Sequence, residues 1–308
     1  MVEEAVVISR FARVSGEGRR ERTAVIANSG AWHGLGALAT AASGVSDLWD
    51  KAGPLSGDFH HVPPNDSEAL EAAVDRIGPD RITAFRFEPV LGVSGVFLSR
   101  EYLQAAQELA QRHGIHLIAD EVTTGVGRVG HMSYSDALGF APDLLVLGKG
   151  LSGGYVPMSA VVTSEDVYRT ALRALPLVVP HSSTNDGHPL AMAAGLAVVD
   201  ALSDGSIFEH VRRLGGHVEA RARELFVDVP SVTTTSGRGL MHFFDLHDDG
   251  RPWTREQTIA FVDECERRGL LVDAVYNHVF FTPPLVTTED ECDEMLGIIA
   301  AALACRPS

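Results

Sequence analysis

Basic residues are scarce in this sequence, and so are long apolar runs. Its 308 residues include 25 Lys and Arg against 41 Asp and Glu, which gives a net charge of −16. Nucleic-acid surfaces need clustered Lys and Arg to bind phosphates, so we expect no nucleic-acid partner. No apolar stretch approaches the roughly 20 residues of a membrane-spanning helix, and residues 1–4 lack the basic start of a signal peptide. We therefore predict no membrane partner.

Cysteine is scarce as well. The cysteines Cys265, Cys292 and Cys305 are odd in number, and their spacing fits no metal-binding motif. Reduced thiols in a cytoplasmic protein are the simplest interpretation of such a set. The 13 histidines also lack the spacing of zinc ligands, so we predict no metal site.

The sequence does contain a regular alternation of strand and helix patterns. Strands are predicted at residues 24–27, 81–87, 115–119, 144–147 and 159–163, and helices at 67–77 and 100–113. This alternation predicts the α/β class, with a mostly parallel sheet flanked by helices. Helices at about 189–202, 211–225, 256–268 and 288–304, with a strand near 239–246, predict a smaller C-terminal α+β domain. We place a large domain at residues 1–188 and a small one at 189–308.

One lysine stands in an unusual setting for a charged residue. Lys149 follows the apolar strand 144–147 and lies between Gly148 and Gly150, which predicts apolar surroundings. Desolvation disfavours the ammonium form and so favours the neutral, nucleophilic amine that Schiff-base chemistry needs. Asp120 ends another apolar strand, where an aspartate is a natural partner for a protonated pyridine nitrogen. Together the two residues indicate pyridoxal 5'-phosphate (PLP) as the cofactor.

Both residues belong to an ordered series of short motifs. The series is Asp120-Glu121-Val122, Gly125-Val126-Gly127-Arg128, Pro142-Asp143 and Gly148-Lys149. It resembles the signature of the class III aminotransferases, PLP enzymes of fold type I, which carry these elements in the same order. The resemblance implies a fold type I PLP-transferase in which Lys149 is the catalytic, Schiff-base lysine and Asp120 keeps the ring nitrogen protonated.

The resemblance extends over essentially the whole chain and implies roles for further residues. Trp32 and His33 occupy the place of the family's aromatic-His-Gly motif, whose ring stacks on the cofactor, and Val122 packs on the other face. Ordinary core packing for Trp32 and a satisfied hydrogen-bonding group for His33 are the alternatives. Glu88, in Glu88-Pro89, matches the family's Glu-Pro at a strand end. Thr184, in the segment 181–184, matches a threonine that reaches the cofactor phosphate of the other subunit, which implies a homodimer.

Two positions depart from family members that accept α-amino acids. Such members often pair an arginine three residues before Pro-Pro with a glutamate five residues after the glutamate of Glu-Pro. Here these positions are Phe280 and Val93. The joint loss is physically coherent, because loss of one charge alone would leave the other buried and unpaired. Phe280 and Val93 therefore predict a substrate pocket suited to an ω-type or simple amine substrate.

A third departure concerns the start of the chain. The family has a Ser-Gly-Thr/Ala loop before a helix, and the loop and helix hold the cofactor phosphate. Residue 1 falls inside the helix that follows this loop, and Asn28-Ser29-Gly30 is only superficially similar because it follows a strand. We expect the large domain to be N-terminally incomplete, and the 308-residue chain to bind PLP weakly.

The implied activity is transfer of an amino group between an amine or amino-acid donor and a carbonyl acceptor in a ping-pong cycle, of ω type and biosynthetic. Aminomutases and racemases share the scaffold, and an inactive truncated PLP-fold protein is a further alternative. A serine hydrolase is the rival from another class, because Gly150-Leu151-Ser152-Gly153-Gly154 fits the Gly-x-Ser-x-Gly motif. That motif needs a helix directly after the serine, whereas a strand-like run follows here.

Overall fold

The structure is a computed structural model that describes residues 1–174 and 183–305. Its strands are β1 (Ala24–Asn28), β2 (Phe59–Val62), β3 (Ile82–Phe87), β4 (Val90–Leu91), β5 (Val96–Phe97), β6 (His116–Asp120), β7 (Leu144–Leu147), β8 (Ala160–Thr163), β9 (Val232–Arg238), β10 (Met241–Asp248), β11 (Arg251–Pro252), β12 (Asp273–Val275) and β13 (His278–Phe281). Its α-helices are α1 (Val2–Arg10), α2 (Ala37–Ala42), α3 (Ser46–Ala52), α4 (Ser67–Ile77), α5 (Arg100–His113), α6 (Tyr134–Ala137), α7 (Glu165–Ala174), α8 (Pro189–Leu202), α9 (Ser206–Phe226), α10 (Arg255–Arg267) and α11 (Glu289–Ala304).

The elements group into two units. The first unit comprises Met1–Val126 and Ser133–Ala201, and the second comprises Gly127–Met132 and the chain from Leu202 onward. Helix α8 falls in the first unit almost entirely, because it packs closely on Met158: a Cβ atom at Gly195 of α8 would lie 2.6 Å from Met158 Cε. The unit limits therefore differ from the predicted domains 1–188 and 189–308, which stay a prediction.

The first unit is built on a six-stranded sheet with the order β2-β1-β3-β6-β7-β8. Strands β2, β1, β3, β6 and β7 are parallel, and β8 pairs with β7 in the antiparallel direction. Two neighbouring parallel strands must be joined by a crossover connection, which is usually a helix. The predicted alternation of strands and helices provides these connections. The α/β class with a mostly parallel sheet is thereby confirmed.

Side chains that alternate along the strands cover both faces of this sheet with apolar contacts. Ile26, Phe85 and Leu117 belong to a buried cluster with residues of α4 and α5. Their strand neighbours Ala84 and Ile118 belong to another buried cluster, shared with α1 and α7. Full burial of a large apolar side chain stabilises the fold by about 1.5–3 kcal/mol, so burial on both faces holds the strands in the sheet.

The second unit has an antiparallel sheet with the order β11-β10-β13-β12, and β9 also pairs with β10. Helices α9, α10 and α11 pack on it around a core that includes Phe244, Val279 and Leu296. Helix α11 begins with the predicted capping box, in which Thr288 and Glu291 each bond the other's main chain. The predicted α+β character of the C-terminal part is confirmed.

Helix α8 is apolar on nearly all sides, yet several of its large side chains are exposed. Leu190 and Leu196 are 60% and 61% exposed, and Met192 and Val199 are also exposed. An apolar helix in a globular protein is normally buried, so this exposed surface is unusual. Across residues 1–174 and 183–305 no single helix is long and apolar enough to cross a membrane, and only α8 and α9 taken as a pair reach the required length and composition.

Candidate active site

The predicted site residues follow neighbouring parallel strands. His33 lies in the loop after β1, Glu88 comes directly after β3, Asp120 ends β6, and Lys149 comes two residues after β7. Because these strands are parallel, their carboxyl ends meet at one edge of the sheet. Open α/β sheets bind their ligands at this edge.

The loop after β1 is closed tightly and thereby fixes His33. The N–H of Gly30 donates to the carbonyl of Gly44, and the N–H of Gly44 donates to the carbonyl of Ala31, both at 2.9 Å. A Cβ atom at Gly44 would lie 2.3 Å from the Asn28 oxygen, so glycine is required at this crossing. The His33 N–H also donates to Ser43 Oγ at 2.8 Å. The imidazole is therefore presented from a rigid loop.

Asp120 is the centre of a buried polar cluster. Its Oδ2 accepts hydrogen bonds from His33 Nδ1 at 2.7 Å and from Arg86 Nη2 at 2.8 Å, and its Oδ1 accepts from the Val122 N–H at 3.2 Å. Burial alone would raise the pKa of Asp120, but the His33 hydrogen bond and the Arg86 charge hold it well below its ordinary value. The carboxylate is therefore ionised at neutral pH.

His33 is neutral in this setting. Burial, together with the charge of Arg86, lowers the pKa of His33 to about 4 despite its hydrogen bond to Asp120. An ionised carboxylate can only accept, so we assign the ring proton to Nδ1. Nε2 then carries a lone pair and can accept a hydrogen bond, but it is buried without a hydrogen-bond partner in the described part of the chain.

Arg86 is a member of this cluster that the sequence analysis missed. It is the penultimate residue of β3, is fully buried, and also donates from Nη1 to the Val2 carbonyl at 3.0 Å. The sequence pattern predicts only a strand at residues 81–87. The available signal was a charged residue between Phe85 and Phe87, because a buried charge requires a partner of opposite sign.

Glu88 joins two segments at the end of β3. Its Oε1 accepts from the Trp32 N–H at 2.6 Å, and its Oε2 accepts from the Gly92 N–H at 3.1 Å. Burial and the nearby charge of Asp120 raise the pKa of Glu88 to about 8. Glu88 thus holds the main chain at Trp32, whose side chain is 36% exposed.

Lys149 is placed differently from the sequence prediction. Its side chain is exposed, and Nζ donates to Thr123 Oγ1 at 2.6 Å, so the predicted apolar surroundings are wrong. The apolar run 144–147 is the strand itself, and Lys149 lies in the turn beyond it, where the side chain leaves the sheet. Its φ of +43° is uncommon for a residue other than glycine, and such conformations cluster at functional sites.

A cavity of about 290 Å³ opens beside these residues. Its lining includes His33, Val122 and Lys149, together with Val2 and Met158. It thus offers an accessible amine and an apolar side chain, and the buried Asp120 carboxylate is hydrogen-bonded to His33, which lines the cavity. A carbonyl for the amine and a ring nitrogen for the carboxylate are the groups that PLP carries, so the residues present fit this cofactor.

Six predicted residues lie outside this cavity lining: Asp120, Glu88 and Trp32, whose positions are given above, and Thr184, Val93 and Phe280. Thr184 is exposed in the turn before α8, and residues 181 and 182 of the same segment lie outside the described residues. Val93 lies half-buried in the turn between β4 and β5 of the first unit. Phe280 lies half-buried in β13 of the second unit, where its ring packs edge-on to Phe243 at 5.4 Å. Their predicted roles stay predictions.

The structure contradicts a nucleophilic Ser152. This residue is buried, its hydroxyl donates to the Val156 carbonyl at 2.5 Å, and the next regular element is the strand β8. The helix that a nucleophile elbow requires is not there, since residues 153–159 form no helix. In residues 1–174 and 183–305, no group of three or more His, Cys, Asp or Glu side chains is placed to hold a metal ion.

Sequence comparisons identify the family of the chain. The profile of the family described as Aminotransferase class-III matches residues 1–303. The acetylornithine aminotransferase of Caldanaerobacter subterraneus is 33% identical over 305 residues, which cover 98% of this chain and 72% of that protein. The ornithine aminotransferase of an Exiguobacterium species is 31% identical over 307 residues, with the same shares covered.

Comparisons with solved structures point the same way. An amine transaminase from an uncultivated Pseudomonas species, in its PLP-bound form, has a TM-score of 0.92 at 29% identity, over 98% of this chain and 74% of that one. An (S)-enantioselective ω-transaminase from Thermomicrobium roseum also has a TM-score of 0.92 at 29% identity, over 97% and 71%. The chain therefore belongs to the class III aminotransferases, PLP-dependent enzymes of fold type I.

Proposed function

We propose that Lys149 carries the PLP-dependent transamination of this chain, with Asp120 as the partner of the cofactor's ring nitrogen. The observation that supports this most strongly is the cavity that Lys149 lines together with His33, a member of the His33–Asp120–Arg86 cluster. When bound, PLP supplies an electron-withdrawing ring that stabilises negative charge at the amino carbon of the substrate.

The other residues of the site orient the reacting groups, and Lys149 also transfers a proton. Thr123 accepts a hydrogen bond from Nζ and so holds the Lys149 amine at the cavity, where it can move a proton to or from the substrate's amino carbon. His33 keeps the Asp120 carboxylate oriented. Val122 and Trp32 are proposed to pack on opposite faces of the cofactor ring, and Glu88 supports this role because it fixes the Trp32 main chain.

The reaction type is tested by a single turnover without acceptor. Chain loaded with PLP and mixed with an amine donor should release about one equivalent of carbonyl product per site, because a ping-pong transaminase completes its first half-reaction alone. A later addition of a carbonyl acceptor should return one equivalent of aminated product. Isomerised or racemised donor without carbonyl release would instead indicate a mutase or a racemase.

The substrate is proposed to be an amine or an ω-amino compound. Val93 and Phe280 are both half-buried apolar side chains at the positions that carry the glutamate–arginine pair in α-amino-acid-specific family members. Neither side chain offers a charge to an α-carboxylate, and each favours an apolar substituent. The amine transaminase and the ω-transaminase among the structural relatives support this choice by name.

Restoring the two charges should change this preference. In the double variant Val93→Glu/Phe280→Arg, we expect the ratio of kcat/KM for glutamate over a simple amine to rise about tenfold or more, as one charge-assisted contact allows. Phe280→Leu serves as the matched control and should leave the ratio near its starting value. An unchanged ratio in a folded double variant would show that these positions do not select the substrate.

The functional assembly is proposed to be a homodimer in which α8 lies at the interface. The exposed apolar surface of Leu190, Met192, Leu196 and Val199 supports this, because large exposed apolar patches mark interaction sites. Thr184 lies just before α8, which is consistent with a contact to the partner's cofactor phosphate. We also propose a cytoplasmic location, which the unpaired state of the three cysteines supports.

A charge on α8 should prevent this association. Leu196→Asp places a carboxylate in the apolar surface, so we expect light scattering to give the mass of one chain where the wild type gives two. Leu271→Asp is the control, because Leu271 is 84% exposed but lies in the second unit, between α10 and β12. A dimeric Leu196→Asp variant would show that another surface forms the interface.

A further inference from the structure

Arg86 and Asp120 form a buried contact, although an aspartate needs no arginine to pair with the ring nitrogen of a cofactor. The Arg86 side chain is 0% exposed and that of Asp120 is 5% exposed, and Nη2 lies 2.8 Å from Oδ2. Nε of Arg86 is buried without a hydrogen-bond partner in the described part of the chain. Burial of this guanidinium is therefore unfavourable in part, and its contact with Asp120 offsets that penalty.

The hydrogen bonds leave only one oxygen of Asp120 with spare capacity. Oδ2 already accepts from both Arg86 and His33, whereas Oδ1 accepts a single, longer bond of 3.2 Å from the Val122 N–H. An ionised carboxylate oxygen has about two lone-pair sites. Oδ1 is thus the atom left to meet a further donor.

We infer that Arg86 is a positioning residue that leaves Oδ1 of Asp120 for the ring nitrogen of bound PLP and weakens the proton affinity of that nitrogen. The inference rests on the proposed pairing of Asp120 with the ring nitrogen. The carboxylate that meets the ring nitrogen is then one whose charge the Arg86 guanidinium already neutralises.

The charges that face Asp120 support this consequence. Arg86 contributes one positive charge from β3, His33 is neutral, and Glu88 takes up a proton below a pKa of about 8. The cluster as a whole therefore carries no net charge at neutral pH. A carboxylate that stands alone would favour a proton on the ring nitrogen strongly, whereas a neutralised one favours it less.

The test follows the ring nitrogen directly. PLP labelled with ¹⁵N in the ring is bound to the wild type, to Arg86→Gln and to Arg86→Lys, and its chemical shift is recorded against pH. Glutamine keeps a hydrogen-bond donor and removes the charge, and lysine keeps the charge. We expect the titration midpoint of Arg86→Gln to lie about one pH unit or more above that of the wild type, and Arg86→Lys to stay near it.

Equal midpoints for Arg86→Gln and the wild type would overturn the inference. If Arg86→Gln does not fold, the wild type alone is decisive: a resonance that moves with pH supports the role of Arg86, and one fixed at the protonated value at every pH overturns it. The variant Asp120→Asn tests the pairing of Asp120 with the ring nitrogen separately from the role of Arg86. An unchanged ring-nitrogen resonance in that variant would refute the pairing itself.

Discussion

Replacement of Lys149 by alanine is expected to reduce kcat for transamination by at least about four orders of magnitude. A general base contributes about 10²–10⁴ to the rate, and loss of a covalent anchor adds to that loss. The amine is held by Thr123 at the cavity, and Lys51 is the only other lysine in the sequence. The measurement is kcat with saturating amine and carbonyl substrates.

Lys51 provides the matched control for this experiment. It lies exposed in the last turn of α3, and Lys51→Ala should leave kcat within about twofold, as surface substitutions usually change little. Partial rescue of Lys149→Ala by added small amines would indicate that the missing group is a base. Activity of Lys149→Ala within tenfold of the wild type would refute the role of Lys149.

Asp120→Asn is expected to have the largest effect on stability. The asparagine leaves the buried Arg86 without a counter-charge, and breaking a buried pair in this way typically costs about 3–5 kcal/mol in the free energy of unfolding. Denaturant unfolding of the chain without PLP measures this loss. The double variant Arg86→Met/Asp120→Leu should recover most of it, because an apolar pair leaves no charge unpaired.

The pH dependence of this loss has a definite sign. The pKa of Asp120 is lower in the folded chain than its ordinary value, so the ionised carboxylate stabilises the fold above the unfolded pKa. The contribution of the ionised Asp120 to the difference in unfolding free energy between wild type and Asp120→Asn should thus be lost as the pH falls below about 4. A difference that does not diminish in acid would contradict the ionised, paired state of Asp120.

Local patterns predicted the elements of the fold well. Helix α4 and strand β7 have the bounds that the sequence predicts, because Leu70, Val74 and Ile77 mark one face of α4 and the run 144–147 is wholly apolar. The signals for these elements lie within the elements themselves. The parallel order of the sheet then follows from the alternation of strands and helices.

Features that depend on distant contacts were not predictable in the same way. The exposure of Lys149 depends on where the turn after β7 directs its side chain, which the neighbouring glycines do not reveal. The partners of Arg86 come from β6 and α1, far along the sequence. The contact of helix α8 with Met158 likewise joins distant parts of the sequence, and the local pattern that predicts a domain boundary at residue 189 does not reveal it.

Borohydride reduction of the PLP-loaded chain tests the role of Lys149 most directly. The reduced protein is digested, and the mass of each lysine-containing peptide shows which side chain has gained the reduced cofactor. We predict the added mass on the peptide with Lys149 and none on the peptide with Lys51. A stoichiometric adduct on Lys51, or retention of PLP with no reducible bond to Lys149, would contradict the proposed site.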